Sequence, residues 1–426
     1  VSALSPLALK HLRRNFSLGV VNGAVFGFID ALVSPYLVLP LFITGLGGSP
    51  ILVGLLPAIY NGGWFLPQFL ISHRLQGLPR KLVLYTPVAF FRIICWLAFS
   101  FATLFIGNTN PGLLLGIFFF FFTAYSLAAG VAGSPFMDIV AKTIPANRRG
   151  GFFGYRDLFG ALFAIAASYA IKIFLSPEMT AQFPINFALI FLTAAVAVAI
   201  GVLSYSFVVE PAEPHAVRIV TFREQLSAAK RLLRDNNLYR RYLLARTLLA
   251  FADIASPFYA IYATTILRVP LETVGVYIAI STLSSLVTNP IWSWVSNRHG
   301  NRVVLIGASV ASMLMPVIAL LFGFLPNNSD LGLQFGLIFV FAGIFRTAAN
   351  IALPSYLLDI SPAAERSLYI GVTNSILGVA TFIPVLGGVI VNLAGFSSVI
   401  LLALFFSAIG LWLGFGLQEP RKTLPS

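Results

Sequence analysis

The chain has 426 residues, of which 58% are hydrophobic and only 10% charged, and its mean hydropathy is +0.91. A soluble globular protein carries roughly 25% charged residues, so this balance excludes an ordinary soluble domain and indicates an integral membrane protein. The net charge of +13 raises nucleic-acid binding as an alternative, which the placement of the charges decides.

Apolar windows of about 20 residues bounded by charges, Gly and Pro mark membrane spans. They fall at 17–44, 50–72, 83–106, 111–140, 151–175 and 185–209, then, after a polar interval, at 240–267, 270–295, 303–325, 331–359, 368–394 and 396–417. Runs of this length lack the alternation of a membrane β-barrel, whereas helices satisfy their own backbone groups in lipid. The expected fold is therefore all-α, with twelve transmembrane helices. The Phe run 118–122 reads as lipid-facing bulk. The first apolar run is too long for a signal-peptide core and no small-residue cleavage site follows it, so no cleaved leader is expected.

Of the 27 Lys and Arg, only Lys172 and Arg268 fall in one set of loops, and Arg92 and Arg346 fall within spans. The other 23 lie in the alternate set, which includes Lys10, Arg13 and Arg14, Arg80 and Lys81, Lys142 to Arg156, Arg298 and Arg302, and Arg421 and Lys422. This is the positive-inside asymmetry, which places both termini in the cytoplasm and makes the basicity topological rather than a nucleic-acid footprint. A multi-pass protein of the cell membrane is expected. Cys95 is the single cysteine, so no intramolecular disulfide is possible. His11, His73, His215 and His299 show no metal-ligand spacing. No metal or cofactor is expected.

The charges within spans need a reason. An ionised Asp at mid-membrane costs roughly 2.5–3.5 kcal/mol on insertion scales. Asp30, in GFIDALVSPY, comes about 13 residues or some 20 Å into the first span, and Asp253, in FADIASPFYA, is similarly placed in the seventh. A carboxylate in a low-dielectric site holds its proton more readily than one in water, which suits proton or cation binding. The bland alternative is that these acids pair with Arg92 and Arg346 and merely join helices. Arg346 stands either as partner of Asp253 or as clamp for an anionic solute group. Asn350 lies one turn on, on the same face. Arg92 reads as a structural partner or a snorkelling side chain. A Ser-Pro follows each acid and should break the helix there. The next aromatic, Tyr36 or Phe258, then either meets an organic ligand or simply packs.

The two halves are written in one pattern. Asp30-x3-Ser34-Pro35-Tyr36 answers Asp253-x2-Ser256-Pro257-Phe258, Val53-Gly54 answers Val274-Gly275, and PANRRGGFFG (145–154) answers PAAERSLYIG (362–371). Asp138-Ile139 and Asp359-Ile360 precede the last pair. Recurrence in the same order indicates a duplicated six-helix unit. The expected domains are residues 1–209, a cytoplasmic linker with an amphipathic helix at 210–239, and residues 240–426.

Twelve spans as six plus six, a basic central loop and two loop signatures together resemble the major facilitator superfamily across essentially the whole length. The signature SWVSNRHGNRVVL (293–305) keeps Arg298, Gly300 and Arg302 of the family's Gly-x3-Asp-Arg-x-Gly-Arg-Arg loop, with Asn297 at the acid position. SHRLQGLPRKLVL (72–84) keeps Arg80 and Lys81, with Gln76 at the acid. The resemblance implies two pseudo-symmetric bundles around a central cavity that opens to each side in turn. It also implies a cytoplasmic gate formed by Asp359 and Arg366 and, more loosely, by Asp138 and Arg149. The family's Gly-Pro-rich antiporter motif is missing from span five, while GVATFIPVLGG (378–388) in span eleven reads as close helix packing.

The function expected is secondary active transport of a small organic solute, amphipathic or cationic, by proton-coupled export, from a monomer in the bilayer. One alternative is proton symport importing an organic anion clamped by Arg346. Another is a non-transporting receptor or assembly member of the fold. No nucleophile–base constellation or phosphate-binding loop argues for an enzyme.

Overall fold

The computed structural model describes residues 5–76, 78–212, 222–324, 331–362 and 365–420, with the backbone alone described at 68–76, 134, 146, 222–226 and 367. His215, Ala363, Ala364, Arg421, Lys422 and the stretch 213–221 of the expected linker lie outside the described residues, as do the side chains of His73 and Gln76.

The first six long helices are α1 (Leu12–Leu32, continued by Leu39–Gly45 after a break), α2 (Pro50–Gln76), α3 (Leu82–Ile106), α4 (Pro111–Thr143), α5 (Ala146–Phe174) and α6 (Ile185–Ser206). An amphipathic helix at Phe222–Asp235 precedes α7 (Asn237–Ala252), α8 (Thr273–His299), α9 (Asn301–Phe322) and α10 (Leu337–Ile360). Two segments, Arg366–Ala380 and Ile383–Ala394, make α11, and Phe396–Gly416 is α12. Every apolar window of the sequence is thus a helix. Among the described residues eleven stretches are long and apolar enough to cross a membrane. The remaining helix, α2, has 27 residues, about 40 Å at helical rise.

Local chemistry sets the helix ends. Asn110 accepts the Leu113 N–H at 2.9 Å ahead of Pro111, capping α4. Gly300 lies between α8 and α9 with φ +91°, a conformation that suits glycine. The Ser-Pro elements break their helices as expected. After Leu32 the α1 helix stops, because Pro35 has no N–H to give the Ala31 carbonyl. In the second half α7 ends at Ala252, tightens into a 3₁₀ turn at Asp253–Phe258 around Pro257, and widens into a π turn at Tyr262–Ile266.

The chain packs as two compact units. One comprises Val1–Gly48, Ile59–Ile219 and Val274–Ile278; the other comprises Ser49–Ala58, Val220–Thr273 and Ala279–Ser426. In the first, α1 packs on α5 and α6, and α3 packs on α4 and α6. In the second, α9 packs on α10 and α12, and α7 packs on α12. The pairings α3–α4, α3–α6 and α1–α6 recur as α9–α10, α9–α12 and α7–α12, so the repetition in the sequence is also a repetition of packing.

The first unit's core is aromatic. Phe42, Phe99 and Phe191 meet with ring centroids 4.6 to 5.7 Å apart, in the range of favourable ring pairs. The Phe run corrects the sequence reading. Phe118 and Phe122, one turn apart, are buried and stacked at 5.3 Å, while Phe120 is 68% exposed. Helical phase divides the run between core and outer surface. In the second unit Tyr242 stacks on Tyr356 at 5.4 Å, and its hydroxyl donates to the Leu353 carbonyl at 2.9 Å.

Candidate functional site

Helix α1 presents two neighbouring stripes. Gly19, Gly23 and Gly27, each one turn apart, face Phe152, Arg156 and Gly160 of α5, and a Cβ on Gly27 would collide with the Gly160 backbone. The two helices run parallel at this register, in the close approach that small-residue stripes permit. The adjacent stripe, Asn22, Phe26 and Asp30, faces a cavity of about 400 Å³ in the first unit. From α2 the lining adds Tyr60, Asn61, Trp64 and Phe65; from α3, Tyr85 and Arg92; from α5, Arg156. Helix α4 contributes Tyr125, Ser126, Ala129, Ala132, Gly133 and Phe136, a single helical face.

Asp30 is exposed towards this cavity and accepts a hydrogen bond from the Tyr60 hydroxyl at 3.0 Å. Tyr36, beyond the α1 break, is half-buried, and its hydroxyl accepts from Asn61 Nδ2 at 2.9 Å. It borders the cavity through that bond.

Two cations of the lining were not expected there. Arg92 is 7% exposed, its guanidinium lying over the rings of Phe26 at 4.8 Å and Tyr125 at 4.5 Å. Its Nη2 donates to the Tyr125 hydroxyl at 2.8 Å, and its Nε is buried with no acceptor. Arg92 thus joins α3 to α1 and α4 through rings and a hydroxyl, without an ion pair to a described carboxylate and without snorkelling, and it also lines the cavity. Arg156, counted in sequence with a basic loop, is about three turns into α5. Its Nη1 donates to the Gly19 carbonyl and, at 3.1 Å, to Asn22 Oδ1, with Phe136 beneath its guanidinium at 4.6 Å. A turn-by-turn count would have found both: Arg92 is two turns from Tyr85, and Arg156 faces the Gly23 of the stripe.

The second acid has a different setting. Asp253 is half-buried at the α7 break, where Ser256 Oγ donates to its Oδ1 and Arg346 is close enough to act on it electrostatically. Arg346 and Asn350 are both exposed on α10, as their shared face predicts. Phe258 is 1% exposed and its ring meets Gly387 of α11. It packs in the core instead of meeting a ligand. Gly387 also lies against the Ile254 carbonyl, so the Gly-rich part of α11 is close helix packing, as read.

The four expected gate residues have these settings. Arg149 donates to the carbonyls of Ile144 at 3.0 Å and Ala141 at 2.7 Å, finishing the end of α4. Asp359 accepts from Asn301 Nδ2 at 2.7 Å. Asp138 and Arg366 are exposed.

Two glutamates hold the starts of α3 and α9. Glu210 accepts the N–H groups of Lys81 and Leu82, each at 2.9 Å, at the start of α3, and pairs with Lys142 at 3.1 Å. Glu419 accepts the Arg302 N–H at 2.9 Å at the start of α9, beside Gly300. A carboxylate at a helix N-terminus is favourable, and here the last residues of each half supply it. The signal was present as Glu210-Pro211 and Glu419-Pro420, one at the end of each half.

No curated protein matches the chain in sequence. Three solved structures share its fold at low identity. A POT family transporter in complex with 5-aminolevulinic acid has a TM-score of 0.69 at 14% identity, covering 97% of each chain. The nucleoside transporter NupG gives 0.65 at 15%, covering 98% of this chain and 100% of that one. A D-xylose-proton symporter gives 0.67 at 13%, covering 96% and 99%. Residues 243–426 match the sequence model of the Major Facilitator Superfamily. With that sequence match in its C-terminal half and a shared fold over its whole length, the chain is similar to transporters of the major facilitator superfamily.

Proposed function

We propose that the protein is a proton-coupled secondary transporter that takes a small organic solute into the α1–α5 cavity, with Asp30 as the group that loads and releases the proton. One observation carries this reading: the carboxylate near the middle of the first span faces a cavity of ligand size, hydrogen-bonded by Tyr60 and not sealed in a helix contact. Asp253 assists from the second unit, with Arg346 as its electrostatic neighbour. Tyr36 and Asn350 are assigned supporting polar roles. The gating role is assigned to Asp138, Arg149, Asp359 and Arg366, of which Asp138 and Arg366 have exposed side chains. The solute moves by alternating access, in a monomer of the plasma membrane whose termini lie in the cytoplasm, as the Lys and Arg distribution supports.

Proteoliposomes with an imposed pH gradient test the assignment. A solute accumulated by the wild type should no longer be concentrated by Asp30→Asn. Unchanged gradient-driven accumulation in that variant would overturn it.

A further inference from the structure

We infer that the ligand of this cavity is an organic acid, a carboxylate on an aromatic or apolar body, and that Arg92 holds the carboxylate. The inference rests on the cavity being the solute site.

Arg92 is a buried cation with ring faces and one neutral hydroxyl for company, which compensate a desolvated charge less well than a carboxylate does. Its Nε has no acceptor, and Ser126, 1% exposed and next to Tyr125, has a buried Oγ with no partner. These two unsatisfied groups belong to the lining of one cavity, as expected where a polar ligand completes the site. Among the described residues Arg156 donates its hydrogen bonds to neutral acceptors, the Gly19 carbonyl and Asn22 Oδ1, and the nearby carboxylate of Asp157 acts on it from outside the lining. The lining therefore sets two guanidinium groups against the one carboxylate of Asp30. It is electropositive, and more so once Asp30 takes a proton. A cationic solute would add to that excess, while an anion removes it. The remaining surface, including Phe26, Trp64, Phe65 and Phe136, suits an apolar body.

This assignment differs from a clamp at Arg346, which lies in the other unit. It also gives coupling a charge balance: a carboxylate bound with a protonated Asp30 moves as a neutral pair, with no covalent step.

The test uses purified protein in detergent and three probes with one body: phenylacetate, phenethylamine and phenethyl alcohol. Millimolar phenylacetate should raise the thermal midpoint in a dose-dependent way, and the amine and alcohol should not. Arg92→Gln should weaken the phenylacetate response at least about tenfold, the loss expected for a charge-assisted hydrogen-bond pair, and Arg240→Gln, at an exposed position near the start of α7, should leave it unchanged. A larger response to the amine, no response to phenylacetate, or a response that survives Arg92→Gln overturns the inference. If Arg92→Gln does not fold, the wild-type ranking of the three probes decides. Phenylacetate binding without gradient-driven flux of any solute would defeat the transport reading alone. Flux of solutes without acid preference would defeat this inference alone.

Discussion

Removing the Glu210 carboxylate is the sharpest perturbation of the fold. Its side chain is fully buried; it accepts two backbone N–H groups at 2.9 Å and an ammonium at 3.1 Å. Glu210→Ala orphans both N–H groups and leaves Lys142, itself buried, without its carboxylate, keeping only the Pro79 carbonyl at 3.2 Å. Breaking a buried pair from one side costs about 3–5 kcal/mol. Lys142→Met should cost less, because the two N–H donors still hold Glu210 in place. The double variant should be more stable than the sum of the single losses by about 1–3 kcal/mol, since no unpaired ammonium is left. Equilibrium unfolding in mixed micelles, followed by tryptophan fluorescence, measures the cycle. Single losses that add within about 0.5 kcal/mol would mean the pair is not coupled, and the account of the α3 start would be wrong.

Gly300→Ala combines a positive φ with a collision against the Glu419 carboxylate, and should lower the thermal midpoint, whereas Gly416→Ala, with open space around it, should not. Equal midpoints would remove Glu419 from its capping role. Gly27→Val should force α1 from α5 at a cost of about 1–3 kcal/mol and reduce solute binding, read by thermal shift and by flux. Phe258→Ala should destabilise by about 3–5 kcal/mol, the usual loss for a core phenylalanine, yet leave solute preference unchanged in the surviving protein. A changed preference would return Phe258 to the site.

How much of this was legible in the sequence follows from what a linear pattern encodes. The helices were readable because lipid demands about 20 apolar residues in a row, and the breaks after Asp30 and Asp253 because proline removes a donor at a known place. Asp30 stood out because a carboxylate in such a run is conspicuous. The place of Arg92 and Arg156 in the lining was missed for a different reason: direction around a helix decides whether a cation meets a cavity, a loop or lipid, and a window average discards direction. The same loss hid the division of the Phe run, where Phe118 and Phe122 point inward and Phe120 outward. Glu210 and Glu419 were passed over because a glutamate beyond a span reads as a surface charge until the helix N-terminus it caps is in view. The contacts of Arg149 with the carbonyls that end α4 were not readable either, because they depend on how the chain turns between α4 and α5.

The central claim is that solute occupies the cavity lined by helices α1 to α5, and a single thiol can report on it. Trp64 is 44% exposed and lines the cavity, while the native Cys95 is buried. In Trp64→Cys, labelling by a small methanethiosulfonate reagent should be slowed by any solute that the proteoliposome assay shows to be carried. An unchanged labelling rate at saturating solute would contradict the account.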